Sequence, residues 1–134
     1  MYDIAIIGAG VTGCAVAREL SRYELNVVVI DKESDVCEGT SKANSAIIHA
    51  GFDAKPGSLK ARLNVKGNAL MDELSRDLRI PFNRCGAFVV CREENELPAL
   101  EELLERGVKN GVEGLRILNH DEAKEMEPNL DDGV

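Results

Sequence analysis

The most constraining feature of the sequence is a Gly-x-Gly-x-x-Gly segment, Gly8 to Gly13, that lies between two short apolar runs. The apolar run at about 2–7 predicts a strand, residues 11–22 predict a helix, and the continuous Val/Ile run at 26–30 predicts a second strand. In such a βαβ unit the first glycine permits a tight turn, the second lets the backbone approach a pyrophosphate, and the third lets the helix pack closely on the strand. The helix N-terminus offers N–H groups and a positive dipole end to phosphates. The segment therefore predicts a dinucleotide site.

Asp31 follows the second predicted strand, at the position where a carboxylate accepts hydrogen bonds from ribose hydroxyls. Gly8, Gly10, Gly13 and Asp31 are therefore candidate cofactor-binding residues. The acid does not separate FAD from NAD, because either ribose can use it. Two alternatives to a flavin site stay open here: a small NAD-binding domain, and a nucleotide-fold fragment with a structural role only.

The composition of the chain limits the kinds of molecule that it can be expected to bind. The chain has 134 residues, enough for one hydrophobic core, and its formal charge of −8 disfavours nucleic acid or an anionic membrane. No apolar stretch is long enough to cross a bilayer. The four cysteines form no Cys-x-x-Cys pair and the two histidines lie at no zinc spacing, so we expect reduced thiols and no metal site.

Periodicity and turn signals predict further elements beyond the βαβ unit. They are a helix at about 59–77 capped by Ser58, a strand at 86–92, an acidic helix at 93–107, a short strand at 115–118, and a helix capped by Asn119 or Asp121 that ends at Met126. Because two parallel strands do not make an adequate sheet alone, and no terminal element closes one, we expect a fragment of a longer protein.

A second candidate constellation follows Asp31. The loop at 39–45 carries small hydroxyl and amide side chains, which can bind a phosphate or line a flavin ring. By composition alone a turn-rich surface loop is an equal alternative. The candidate binding residues in this loop are Thr40, Ser41, Asn44 and Ser45.

From Ile4 to about Leu130 the sequence resembles the N-terminal part of FAD-dependent oxidoreductases of the D-amino-acid-oxidase superfamily. It is most similar to FAD-linked glycerol-3-phosphate dehydrogenases and L-2-hydroxyglutarate oxidases. Besides the glycine fingerprint, the resemblance rests on Asp31-Lys32-Glu33, Gly39-Thr40-Ser41, Asn44-Ser45, Ile48-His49-Ala50-Gly51, Pro56-Gly57-Ser58-Leu59-Lys60-Ala61, Cys85-Gly86 and Glu127-Pro128. The block from Asn44 to Gly51, with Pro56 to Leu59, is its most specific part and indicates the hydroxyglutarate-oxidase-like branch.

The resemblance implies FAD as cofactor and a role for each candidate residue. The three glycines would admit the pyrophosphate, Asp31 would hold the adenosine ribose, Lys32 would lie near the adenine, and Thr40, Ser41, Asn44 and Ser45 would contact the pyrophosphate, the ribityl chain or the flavin edge. His49 would lie near the isoalloxazine ring, and it is the candidate catalytic base or proton partner because imidazole titrates near neutral pH. A packed histidine that donates to a carbonyl is the alternative for this residue.

The resemblance also implies an activity for the parent protein: hydride transfer from a secondary alcohol, glycerol 3-phosphate or a 2-hydroxy acid, to FAD. Such substrates are anionic, and Arg62, Arg84 and Arg92 are candidate partners for them. The implied electron acceptor is oxygen, a quinone or a protein, and the implied location is cytoplasmic, with peripheral attachment of the parent at the inner membrane left open. Because the family is much longer than this chain, we expect the chain alone to turn over little or nothing.

The fold implied is α/β: a Rossmann-like FAD-binding βαβ unit followed by the start of an antiparallel substrate-domain sheet, in an incomplete fold. We place the N-terminal part of the FAD-binding domain at 1–80 and the beginning of the substrate domain at 81–134.

Overall fold

The computed structural model describes residues 1–133. Its elements are β1 (Ile4–Ile7), α1 (Val11–Leu20), β2 (Val27–Ile30), α2 (Leu59–Leu78), a 3₁₀ turn (Glu94–Glu96), α3 (Leu97–Lys109) and α4 (His120–Met126). The chain divides into two compact units, one that ends at Ile47 and one that begins at Ile48. Among the described residues no helix is both long and apolar enough to cross a membrane. The domain boundary near residue 80 stays a prediction.

The first unit is built on a parallel βαβ arrangement, as the sequence predicts. β1 pairs with β2 in parallel register, with Ile4 opposite Val27 and Ile7 opposite Ile30, and α1 is the connection between them. α1 ends at Leu20, two residues earlier than predicted, and the Ser21 hydroxyl donates to the carbonyl of Arg18 at 2.7 Å. This unit therefore brings the carboxyl ends of both strands to the same edge, where parallel α/β sheets bind ligands.

The apolar faces of this two-stranded sheet are only partly covered. Ile7 is 79 % exposed and Ile30 is 49 % exposed. Strands with continuous Val/Ile runs belong to parallel sheets that are buried on both faces. In the described part of the chain the buried apolar side chains are all alanines: Ala9, Ala54, Ala61 and Ala123. The sheet thus has the composition of a larger α/β core than residues 1–133 supply.

In the second unit α2 begins where the sequence predicts. The Ser58 hydroxyl accepts the N–H of Ala61 at 3.1 Å, which satisfies one of the free donors of the first turn. The helix ends at Leu78, one residue beyond the prediction. Arg79 then adopts a left-handed conformation, with φ of 55°, and Ile80 donates its N–H to the carbonyl of Ser75 at 3.0 Å.

Capping boxes set the starts of the remaining helices. Glu93 and Glu96 cap the 3₁₀ turn that leads into α3, and Asn119 with Glu122 caps α4, which ends at Met126 as predicted. Of the two caps proposed for α4, Asn119 is the observed one. The predicted acidic helix is therefore present, with its regular α-helical part beginning at Leu97.

The strands predicted at 86–92 and 115–118 are wrong, because neither segment forms a strand in the structure. Both segments have the apolar composition of strands, yet a strand also needs a second strand to accept and donate its backbone hydrogen bonds. None pairs with them among the described residues, and Phe88, Val89 and Val90 are 41–47 % exposed. The antiparallel sheet expected to begin here is therefore not formed within residues 1–133.

Candidate functional site

The turn between β1 and α1 is packed backbone against backbone. Gly8 has φ of 104°, a left-handed conformation that favours glycine, and its N–H donates to the carbonyl of Ile30 at 2.7 Å. A Cβ on Gly13 would overlap the carbonyl oxygen of Gly8 and lie 3.4 Å from the Ile6 side chain. Only glycine at position 13 lets α1 start this close to the strand.

The N-terminus of α1 presents groups of the kind that bind anions. Gly10 is the N-cap and supplies no side-chain cap, and a Cβ on it would lie 3.0 Å from the Ser41 hydroxyl oxygen. That hydroxyl accepts the N–H of Val11 at 2.9 Å. The N–H groups of Thr12 and Gly13 have no acceptor within the helix, since the first helical residues never do. Free N–H groups, a dipole end and a hydroxyl thus meet at one point, which is the chemistry that binds phosphate.

Asp31 anchors the same turn from the end of β2. One carboxylate oxygen accepts the N–H of Ala9 at 2.5 Å, and the other accepts the N–H of Glu33 at 2.9 Å. These backbone donors, Ala9 first and Glu33 second, lower the pKa of Asp31 below its usual value, so the group is a carboxylate at neutral pH. A carboxylate has about four lone-pair sites, so it keeps an acceptor position for a ribose hydroxyl.

The candidate binding residues in the loop after Asp31 differ in how close they lie to the glycine turn. Ser41 lies against the turn, and the Asn44 side chain folds back on the loop, donating to the Ser41 carbonyl and accepting the N–H of Ala46 at 2.8 Å. Thr40 and Ser45 are exposed. Lys32 is also exposed and forms an ion pair with Glu33 at 3.1 Å. The structure thus brings together the three glycines, Asp31 and Ser41, and leaves the other candidates of this unit at the surface.

Ala9 was not among the predicted site residues, yet its peptide groups hold the turn in place. Its N–H donates to Asp31, and its carbonyl accepts the N–H of Cys37 at 3.0 Å and the thiol of Cys14 at 3.4 Å. Ala9 is buried, at 5 % exposure. No side-chain signal identifies such a residue, because all of these contacts use its backbone.

In the second unit His49 has an exposed side chain, and its carbonyl accepts from the Asn68 amide at 3.2 Å. The packed alternative considered for this histidine does not fit, because no described residue accepts a hydrogen bond from its ring. Two residues on, Gly51 has φ of 111°, and a Cβ there would lie 2.9 Å from the Val65 side chain on α2. The segment that carries His49 is therefore closely packed on that helix.

The three arginines predicted as partners of an anionic substrate have different environments. Arg84 forms a short ion pair with Asp72, at 2.6 Å, and Arg92 forms a long one with Asp131, at 3.7 Å. Arg62 is exposed on α2. The charge of Arg84 is thus already matched within its own unit.

A parallel βαβ unit with a close-packed glycine turn, a free helix N-terminus and a carboxylate at the end of the second strand defines a dinucleotide-binding protein. Residues 3–134 match the family described as FAD dependent oxidoreductase, so the chain belongs to that family. The family resemblance and the FAD cofactor predicted from the sequence are thereby confirmed.

Individual relatives agree with the family. The chain is 55 % identical to glycerol 3-phosphate dehydrogenase of Caloramator mitchellensis, over all of this chain and 28 % of the relative. It is 42 % identical to mitochondrial L-2-hydroxyglutarate dehydrogenase of Pongo abelii, over 95 % of this chain and 31 % of the relative. Among solved structures, dithionite-reduced L-alpha-glycerophosphate oxidase from Mycoplasma pneumoniae with FAD bound superposes with a TM-score of 0.84 at 34 % identity, covering 98 % of this chain and 35 % of that one. The chain thus spans about a third of the length of these relatives.

Proposed function

We propose that this chain is the FAD-binding N-terminal portion of an oxidoreductase that acts on a secondary alcohol, either glycerol 3-phosphate or a 2-hydroxy acid. The names of the relatives support both substrates. The higher identity, 55 % against 42 %, favours glycerol 3-phosphate as the first substrate to test. The charge of −8 is consistent with a small-molecule substrate rather than nucleic acid.

The observation that carries the cofactor assignment is the overlap that any side chain at Gly13 would make with the backbone of Gly8. Such close packing brings the α1 N-terminus to the strand end, where it can face a pyrophosphate. In the proposal Gly8, Gly10 and Gly13 admit the pyrophosphate with the Ser41 hydroxyl beside it, and Asp31 accepts from the adenosine ribose. When bound, FAD supplies the acceptor for the hydride of the substrate.

The remaining cofactor contacts belong to the proposal as well. Lys32, Thr40, Asn44 and Ser45 carry donors suited to adenine, phosphate or flavin oxygens. All four side chains are exposed on the described chain, but Lys32 would have to leave its ion pair with Glu33, and Asn44 would have to give up its bonds within the loop.

His49 is proposed as the residue that takes the proton of the substrate alcohol. Its imidazole is exposed and lacks a hydrogen-bonding partner among the described residues. A general base needs a titratable nitrogen that can reach the proton it removes, and histidine serves this role most often. A cytoplasmic location, and a quinone, a protein or oxygen as the electron acceptor, complete the proposal.

The test is the flavin of the whole protein. We expect yellow protein whose visible flavin band persists through gel filtration and is bleached without oxygen by glycerol 3-phosphate or L-2-hydroxyglutarate. The variant Gly10→Val should lose flavin, because its side chain would fill the space beside Ser41 that a phosphate needs. Gly67→Ala on α2, where a Cβ meets nothing within 4 Å, is the matched control.

A colourless protein that fails to bind added FAD would overturn the cofactor proposal. Flavin that stays bound but is bleached by neither alcohol would overturn the substrate class. Steady turnover by the 134-residue chain alone would contradict the expectation that groups outside it are required.

A further inference from the structure

The segment that carries His49 is held by side-chain amides from two helices of its own unit. Asn68, on α2, donates to the His49 carbonyl at 3.2 Å. Asn110, which caps α3, donates to the carbonyls of Gly51 and Ala54 at 2.9 and 2.7 Å. Backbone carbonyls on either side of Ala50 are therefore fixed by donors that lie far away in the sequence.

The orientation of the Asn68 amide follows from its partners. Its oxygen accepts from the guanidinium of Arg84 at 2.8 Å, and Arg84 also donates to the backbone carbonyl of Asn68 at 3.0 Å. An amide oxygen accepts and an amide nitrogen donates, so only one of the two side-chain orientations satisfies both ends. Arg84 thus directs the amide nitrogen of Asn68 toward His49.

Arg84 is itself held firmly. Its Nε lies 3.1 Å from both carboxylate oxygens of Asp72, and Nη2 lies 2.6 Å from Oδ2. The guanidinium also lies over the ring of Phe82, 5.2 Å from its centroid. Asp72 and Asn68 are one turn apart on α2, so they present their polar groups to one arginine. The contacts thus form a continuous series, from the Asp72 carboxylate to the Arg84 guanidinium, the Asn68 amide and the His49 carbonyl.

We propose that Asn68 and Arg84 are positioning residues: Arg84 orients the Asn68 amide, and Asn68 fixes the main chain of His49, so that the imidazole meets the substrate alcohol in a reactive orientation. The inference rests on the proposed function, in which His49 takes the alcohol proton. It gives Arg84 a role different from the substrate contact predicted from the sequence. Because the imidazole has no hydrogen-bonding partner in the described part of the chain, its location depends on how well its backbone is held.

The first experiment uses Asn68→Ala and Asn68→Asp in the whole protein. Both variants remove the donor to His49, but the second keeps an acceptor for Arg84. We expect kcat to fall about ten- to a hundredfold in both, with KM within about twofold, since a small misplacement of a reacting group has effects of this size. The limb of the pH–rate profile that His49→Asn removes should shift in both variants.

The second measurement does not depend on activity. Amide hydrogen exchange of the peptide around His49 should become faster in Asn68→Ala, while the flavin content stays that of the unaltered protein. Glu73→Gln, an exposed neighbour on α2, is the control and should change neither exchange nor kcat.

A double variant separates positioning from independent structural effects. Arg84→Lys keeps the charge and loses the planar fork, so we expect a smaller loss of kcat than in Asn68→Ala. If Arg84 acts through Asn68, adding Arg84→Lys to Asn68→Ala should lower kcat no further. Additive losses would overturn the proposed order of action. Arg84→Lys alone also serves as the test if Asn68→Ala does not fold, because an unchanged kcat and pH profile in it would contradict the role of Arg84.

The outcomes distinguish this inference from the function on which it rests. If His49→Asn leaves kcat unchanged, the proposed role of His49 fails and the positioning role fails with it. If His49→Asn abolishes turnover while Asn68→Ala and Asn68→Asp keep the kcat and pH profile of the unaltered protein, only the positioning role is overturned.

Discussion

The turn at 8–13, which we propose binds phosphate and call the phosphate turn, and the histidine segment at 49–54 are both held in place, but by different means. In the turn, backbone packs directly on backbone, and the position of Gly13 excludes any side chain. In the histidine segment, the carbonyls are held from outside by the amides of Asn68 and Asn110. An added side chain at Gly13 should therefore disturb the turn, and removal of either amide should loosen the histidine segment.

The largest effect is expected for Gly13→Ala. The added Cβ overlaps the Gly8 carbonyl oxygen, so either α1 or the turn must move, and we expect a loss of about 3 kcal/mol of stability together with the flavin. Gly67→Ala, in open space within α2, should instead stabilise by about 0.5–1 kcal/mol. Urea unfolding and flavin content of the whole protein check both, and normal flavin content in Gly13→Ala would refute the steric account.

A smaller effect is expected for Asn110→Ala, which removes atoms from the histidine segment. The variant loses two hydrogen bonds but also removes a buried amide oxygen that has no partner, so we expect a net cost of about 1–2 kcal/mol. The free energy of unfolding and hydrogen exchange at 51–54 are the measurements. Asn95→Ala, at an exposed amide that bonds only Glu93 among the described residues, is the control. Equal stability of the two variants would show that the segment does not depend on its amides.

Acid should loosen both regions, each through its own carboxylate. The pKa of Asp31 is lowered by the N–H groups of Ala9 and Glu33, and that of Asp72 is lowered by its hydrogen bonds with Arg84. A lowered pKa in the folded state stabilises the fold above the ordinary value of 3.8, and this contribution is lost as the pH falls through the folded value.

Asp31→Asn should therefore reduce the acid dependence of exchange in the phosphate turn alone, and Asp72→Asn that of the histidine segment alone. Hydrogen exchange at a series of pH values below 5 is the measurement. If either variant changed both regions equally, the two regions would not be stabilised separately.

The smallest effect is expected for Ser41→Ala. The variant removes the acceptor of the Val11 N–H, and the loss of a side-chain partner at a helix N-terminus costs about 1 kcal/mol. If the same free energy is lost from cofactor binding, FAD affinity falls about fivefold. Ser34→Ala in the same loop is the matched control, because Ser34 is exposed and is not among the proposed cofactor contacts. Titration with FAD measures the affinity of both variants, and equal affinities would show that Ser41 does not contribute to the proposed phosphate site.

The phosphate turn could be predicted from the sequence because its geometry requires glycine, and the positions of glycine can be read directly from the sequence. The helix start at Ser58 was predicted, and that of α4 was narrowed to Asn119 or Asp121, because a cap acts within one turn of its own residue. Local rules are sufficient wherever the partner lies a few residues away.

The histidine segment was predicted only in part. Its histidine stands out, but Asn68 and Asn110 lie 19 and 59 residues from the carbonyls that they hold, and an asparagine on a helix has no pattern that identifies such a partner. The strand predicted at 86–92 was wrong for the converse reason. Its composition suits a strand, and the second strand that would pair with it does not occur in the described chain.

The two hydrogen bonds to the Asp31 carboxylate affect which nucleotides the turn can bind. Because both oxygens already accept backbone N–H groups, its side chain is ordered before any nucleotide arrives, and no rotamer entropy is lost on binding. A preorganised negative charge accepts from ribose hydroxyls and repels a phosphate at the same position. The turn should therefore discriminate against nucleotides phosphorylated on the adenosine ribose, and it should do so through rigidity as much as through charge.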